Sequence, residues 1–154
     1  MKNRIRVFSW LAVFAVALAL AVSGPVAAQT GSGTGKITCD GDGVIVLSGD
    51  FTQISASVEA GALVHNTPTK GTLTIKSNTA FVKYISGNVT LYVGTGSGTA
   101  KNVKGLKMTL SGANGHIEAT GTGKFAVRGD GSCTTASGKT FTWTSSDSSI
   151  TATP

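Results

Sequence analysis

Histidine, cysteine and acidic side chains are nearly missing from this chain, and each shortage removes a class of chemistry. Histidine occurs only as His65 and His116. A zinc site wants three or four ligands. His116 and Glu118, two apart on one strand face, therefore read as a solvent-facing polar pair, and no metal is expected. The acidic residues in the body of the chain are Asp40, Asp42, Asp50, Glu59, Glu118, Asp130 and Asp147, most of them beside turn glycines. A calcium loop starting at Asp40 would need a bidentate Glu at its twelfth position, where Phe51 stands. Nothing marks a pair of carboxylates for glycoside hydrolysis. No G-x-S-x-G elbow surrounds any serine. Gly94-Thr95-Gly96-Ser97-Gly98 lacks the Lys-Ser/Thr ending of a phosphate loop. No catalytic residue and no cofactor are expected, and the chain reads as a non-enzyme, with a hydrolase as a remote alternative.

Long apolar runs are also absent, with one exception. Lys2, Arg4 and Arg6 precede an uncharged stretch from Val7 to Val22, followed by Gly24, Pro25 and the small residues Val26-Ala27-Ala28. This is the order of a bacterial-type secretory signal over residues 1–28. The alternative is a retained anchor, for which the stretch falls short of the roughly 20 residues a spanning helix needs. Cleavage predicts an extracellular or periplasmic protein without a membrane span, its cell-surface attachment left open. It leaves 126 residues, enough for a single domain over 29–145 with a Ser/Thr-rich tail at 146–154. Losing three cations lowers the formal charge from +6 to +3, too little and too dispersed for a nucleic-acid binder.

What remains is alternation. Ile54-Ala56-Val58, Leu73-Ile75, Val89-Leu91-Val93, Leu106-Met108-Leu110, Ile117-Ala119, Phe125-Val127 and Phe141-Trp143 each interleave with Ser, Thr or charged residues. Period two with Thr and β-branched residues is the signature of half-buried strands. Val44-Ile45-Val46-Leu47 is apolar on both faces and Phe81 to Ile85 nearly so, as suits strands covered on both sides or an edge that meets another surface. Between the segments lie Gly41-Asp42-Gly43, Ser48-Gly49-Asp50, Ser86-Gly87-Asn88, Ser111 to Gly115 and Gly121-Thr122-Gly123, all with turn chemistry. The expected fold is all-β: an antiparallel meander of about ten short strands forming a sandwich or barrel, with a β-solenoid as the alternative. Leu73, Ile75, Val89, Leu91, Val93, Leu106, Met108, Leu110, Ile117, Phe125 and Val127 should face inward.

Two stretches echo each other. Gly41 to Asp50 and Gly121 to Asp130 both read G-x-G, five residues, Gly-Asp. Cys39 lies just before the first and Cys133 just after the second, so the copies should be neighbouring strands pinned by a Cys39–Cys133 disulfide. Arg128-Gly129-Asp130 spells a receptor tripeptide but is part of this repeat.

Signal segment, G-x-G strands and the stretch GTGKFAVRGDGSC from Gly121 to Cys133 resemble small uncharacterised secreted bacterial proteins built from Gly-punctuated β-strands. The pattern, over Gly35 to Cys133, is also similar to the β-rich head domain of autotransporter adhesins. The resemblance implies a surface or extracellular setting and supplies no catalytic residues. The expected function is a structural or adhesive role at the cell surface or in the extracellular matrix, with the chain itself or an extracellular polymer as partner. The alternative is a module binding a glycan or an anionic polymer. Its contacts would be the cluster Lys101, Lys104 and Lys107, and an aromatic surface of Tyr84, Tyr92 and Trp143.

Overall fold

A computed structural model describes residues 29–77 and 82–144. The signal reading at 1–28, the tail at 146–154 and Phe81 lie outside the described residues. The chain is all-β and antiparallel, in the order β1 (Gln29–Asn66), β2 (Lys70–Ser77), β3 (Val82–Ser86), β4 (Val89–Thr135) and β5 (Thr140–Trp143). The expected class is correct, but the ten short strands are not separate. β1 runs for 38 residues and β4 for 47. Strands usually span about 3–10 residues, so strands this long must bend.

They bend by winding around each other. Ile45 pairs with Val127 on one side and with Leu110 on the other; Ile54 pairs with Ala119 and with Ala100. Such double pairing recurs along most of β1, so β1 and β4 form an antiparallel ribbon that coils until it meets its own edge. The sheet does not close into a barrel. Instead the pairings resolve into two facing layers. The first contains, in spatial order, β3, 89–93 of β4, 62–66 of β1, 107–111 of β4, 44–48 of β1, 124–128 of β4 and 29–33 of β1. The second contains β5, 131–135 of β4, 37–41 of β1, 116–120 of β4, 53–57 of β1, 97–101 of β4 and β2. Most of the glycine punctuation marks corners at which a strand passes from one layer to the other. Ser86-Gly87-Asn88 is a true hairpin turn, joining β3 to β4.

The corners need glycine because the two strands of the ribbon turn together. Gly43 faces Gly129 across the ladder, with φ of +123° and +115°. A Cβ built on Gly129 would lie 2.2 Å from the carbonyl oxygen of Asp42, and one on Gly43 would lie 2.1 Å from that of Arg128. Gly41 and Gly131, Gly49 and Gly123, and Gly61 and Gly112 are paired in the same way. The echoed stretches are thus ladder partners, lying side by side in neighbouring circuits of the wound ribbon.

Between the layers one core collects Ile45, Leu47, Phe51, Ile54, Leu63, Val103, Leu106, Met108, Leu110, Ile117, Phe125 and Val127. Leu73 and Ile75 pack against its margin. The expectation fails for Val89, Leu91 and Val93. Val89 is 39% exposed, while Thr90 is buried and Tyr92 packs on the core, stacked on His65 at 5.9 Å. The large Tyr92 ring outweighs the valines in setting which face turns inward. Leu91 and Val93 are half-buried on the outer face of the first layer, in rows with Tyr84 and Val82. Val44 to Leu47 is covered on one side only: Ile45 and Leu47 are buried, whereas Val46 is 38% exposed.

Cys39 and Cys133 are ladder partners with Cα atoms 4.0 Å apart and their sulfurs at bonding distance. The core makes a direct prediction. Leu106, 0% exposed, should cost about 2–5 kcal/mol when cut to alanine. Ile85, 67% exposed on the edge strand β3, should change stability by less than about 0.5 kcal/mol when replaced by threonine. Urea midpoints of the two variants check this; equal shifts would contradict the inside–outside assignment.

Candidate functional site: a lysine-lined end of the roll

The corners gather at two ends of the sandwich, and the ends differ in charge. One end carries the corners at 41–43, 59–61, 94–96, 112–115 and 129–131, and with them Asp42, Glu59 and Asp130 beside the cations Arg128 and Lys76. Its acidic groups are tied into the corner. The Asn114 N–H donates to Asp42 Oδ1 at 2.7 Å, and Asn114 Nδ2 donates to Glu59 Oε2 at 2.6 Å. Asn114 has φ 48°, a left-handed conformation that asparagine tolerates.

The other end carries the corners at 33–35, 49–52, 102–105 and 121–123. On or beside them stand Lys36, Lys70, Lys101, Lys104, Lys107 and Lys124, all exposed. Register makes the grouping explicit. Lys70 pairs with Lys104, and Ser48 is flanked by Lys107 on one side and Lys124 on the other. Asp50 at this end accepts the Gly105 N–H at 2.8 Å, and Lys36 Nζ lies 3.0 Å from Glu118 Oε2.

Two depressions open here. The first, of about 190 Å³, is bounded by Gly33, Gly35, Gly121 and Gly123, floored by Leu47, Phe51 and Phe125, and edged by Lys36 and Lys124. Its width follows from the corner chemistry. Gly33 pairs with Gly123 and Gly35 with Gly121, so no side chain closes the gap between the layers. The Phe51 ring lies along the same glycines; Cβ atoms on Gly121 and Gly123 would sit 3.1 and 3.0 Å from it. The second, broader and more open, has about 500 Å³ between Asp50, Lys70, Lys104 and Thr122.

The expected lysine cluster is redistributed. Gly105, at φ +62°, turns the chain between the layers. Ala100 is buried, so its neighbour Lys101 points outward from the second layer; Leu106 and Met108 are buried, so Lys107 points outward from the first. The three lysines share an end of the molecule and not a face. The aromatic surface does not form. Trp143 is 3% exposed in the core, Tyr92 packs against that core beneath Lys83, and only Tyr84 is open, at 40%.

The remaining motifs are absorbed by local structure. Asp40 Oδ1 engages His116 Nδ1 at 2.6 Å, and Glu118 engages Lys36, all on the outer face of the second layer. Among the described residues no group of three or more His, Cys, Asp or Glu is placed to hold a metal ion. Arg128-Gly129-Asp130 spans a corner. Gly98 lies under Ile75, whose Cδ1 would be 2.7 Å from an added Cβ.

Sequence reading missed Lys36, Lys70 and Lys124, which are remote from the lysine cluster in the chain, and missed the Phe51–Phe125 floor. The mirrored glycine spacing is the signal that could have brought them together, because it encodes the register. No protein-family model, no curated protein and no solved structure matches this chain.

Proposed function

We propose that the chain is an exported, non-enzymatic protein with a structural or adhesive role at the cell surface or in the extracellular matrix, attaching to an anionic polymer through its lysine-lined end. The observation that carries this is the concentration of cations: Lys70, Lys104, Lys107 and Lys124 stand together at one end, whereas Asp42, Glu59 and Asp130 at the other are interspersed with Arg128 and Lys76. Such an arrangement orients the molecule on a negatively charged surface, lysine-lined end inward. The Cys39–Cys133 pair supports an oxidising compartment. Among the described residues no helix is long and apolar enough to cross a membrane.

Retention on immobilised heparin, a generic polyanion, tests the reading. The contacts are solvent-exposed, so retention should fall steeply as salt rises and the Debye length shrinks from about 10 Å at 0.1 M to about 3 Å at 1 M. The triple substitution Lys70→Glu, Lys104→Glu, Lys124→Glu should abolish it. The double substitution Lys76→Glu, Lys83→Glu, at positions away from that end, should leave most of it. Equal losses from both would refute an oriented contact.

A second reading has its own observation. Thr140, Thr134, Thr38, Glu118, Ser55, Thr99 and Thr74 form one cross-strand row on the outer face of the second layer. A nearly continuous line of hydroxyls suits hydrogen bonding to a neutral polysaccharide. Retention on an uncharged glycan that persists at high salt, and that falls with Thr99→Lys, would favour it over the lysine end.

A further inference from the structure

The cleft at the lysine-lined end does more than interrupt the surface: it admits solvent to the core's own aromatic floor. We infer that it is a binding site for the end of a single alkyl chain that carries an anionic head, the chain entering between the glycine corners and the head meeting Lys124. Size sets the first limit. A cavity of about 150 Å³ lined by apolar residues holds a benzene-sized group. The 190 Å³ here therefore takes one short chain end and not a folded two-chain lipid. Lining sets the second. Leu47, Phe51 and Phe125 form the floor, and glycines form the walls, so the interior offers contact area and few polar partners. Neutral sugar rings, which need convergent hydrogen-bonding groups, fit this poorly.

Charge sets the third limit. Lys36 and Lys124 edge the cleft. Lys36 is paired with Glu118 at 3.0 Å, which leaves Lys124 to receive an anionic head. A second copy of the chain is disfavoured as the occupant, since its matching end carries the same lysines.

The site shares its end of the molecule with the proposed polymer contact, and the two can be separated. Ala136 is exposed and lines the mouth, its Cβ 3.8 Å from where a Cβ on Gly35 would lie. Ala136→Trp should plug the cleft without entering the core. Calorimetric titrations of the full chain, with all amphiphiles below their micelle concentrations, use three probes: dodecyl phosphate, dodecyl maltoside and inorganic phosphate. Dodecyl phosphate should bind at one site, at least tenfold more tightly than dodecyl maltoside, and inorganic phosphate should give no saturable heat. Ala136→Trp should weaken dodecyl phosphate at least tenfold while leaving heparin retention intact. Lys124→Glu should remove the preference over the maltoside. Lys70→Glu with Lys104→Glu should reduce heparin retention and spare dodecyl phosphate. The inference is overturned if dodecyl phosphate binds without saturation, if Ala136→Trp leaves it unchanged, or if the maltoside binds equally well. Loss of heparin retention alone would count against the polymer contact and not against the cleft.

Discussion

Gly129→Ala is expected to destabilise the fold by about 3 kcal/mol or more. Two costs add. A side chain at φ +115° is strained by roughly 1–3 kcal/mol. The new Cβ would also lie 2.2 Å from Asp42 O and 2.9 Å from Gly43 Cα, both backbone atoms of the partner strand, and relieving such overpacking costs about 1–3 kcal/mol. Gly87 supplies the control. It too has positive φ, +58°, but nothing lies within 4 Å of an added Cβ. Gly87→Asn should be almost neutral, because asparagine tolerates that region. Gly129→Asn should remain as damaging as Gly129→Ala. Urea midpoints for the three variants contrast the crowded corner with the open turn. If asparagine rescued position 129, the close approach of the two strands would not be what demands glycine there.

The second large effect concerns Cys39–Cys133. Replacing both cysteines by alanine should cost about 2–5 kcal/mol, the range for removing a native disulfide from a small secreted domain. The loop is long, with a sequence separation of 94, so constraint of the unfolded chain is at the upper end. Both residues are 1% exposed. A reductant therefore reaches the bond only when the ribbon opens, and the reduction rate should rise sharply with low concentrations of urea. Reduction as fast in buffer as in urea would place the pair at the surface. Comparing urea midpoints of the native and double-alanine chains gives the size of the effect.

Alternation was legible residue by residue wherever one bulky face had a single choice. Leu106, Met108 and Leu110 are inward as read, and so are Ile117, Phe125 and Val127. It misled where both faces carry large side chains. In 89–93, Tyr92 competes with Val89, Leu91 and Val93 for the core, and period two gives no preference between the two sets. Turn chemistry was legible too, but not what it serves. A hairpin such as Gly87 and a ribbon corner such as Gly43 both call for positive φ, so local composition cannot tell a reversal from a bend. The difference lies in the partner strand, far away in the chain: Gly43 faces Gly129 and Gly61 faces Gly112. The echo of Gly41–Asp50 in Gly121–Asp130 did carry that long-range information, and it placed those strands side by side. The candidate site was hidden for the same reason. Lys70, Lys104 and Lys124 come together only through register, and the Lys101–Lys107 cluster divides between faces because Gly105 is a corner.

The wound ribbon also fixes an order of events. Its closed end is local: Asn66 pairs with Val89 across β2 and β3. Its open end is not: the same ladder runs out to Gln29 with Val127, and the pairs that join one circuit to the next include Ile37 with Thr135 and Cys39 with Cys133. Closing short loops first keeps the entropic cost of each step small, so pairing should spread from the Asn66–Val89 end outward, each new circuit using the previous one as its template. A chain emerging N-terminus first, from a ribosome or through a membrane pore, would hold β1 without its partner until β4 follows. The sheet around β1 therefore forms only once β4 is present. The disulfide then acts as a clasp between neighbouring circuits, turning a slow, long-range topology into one that does not readily unwind.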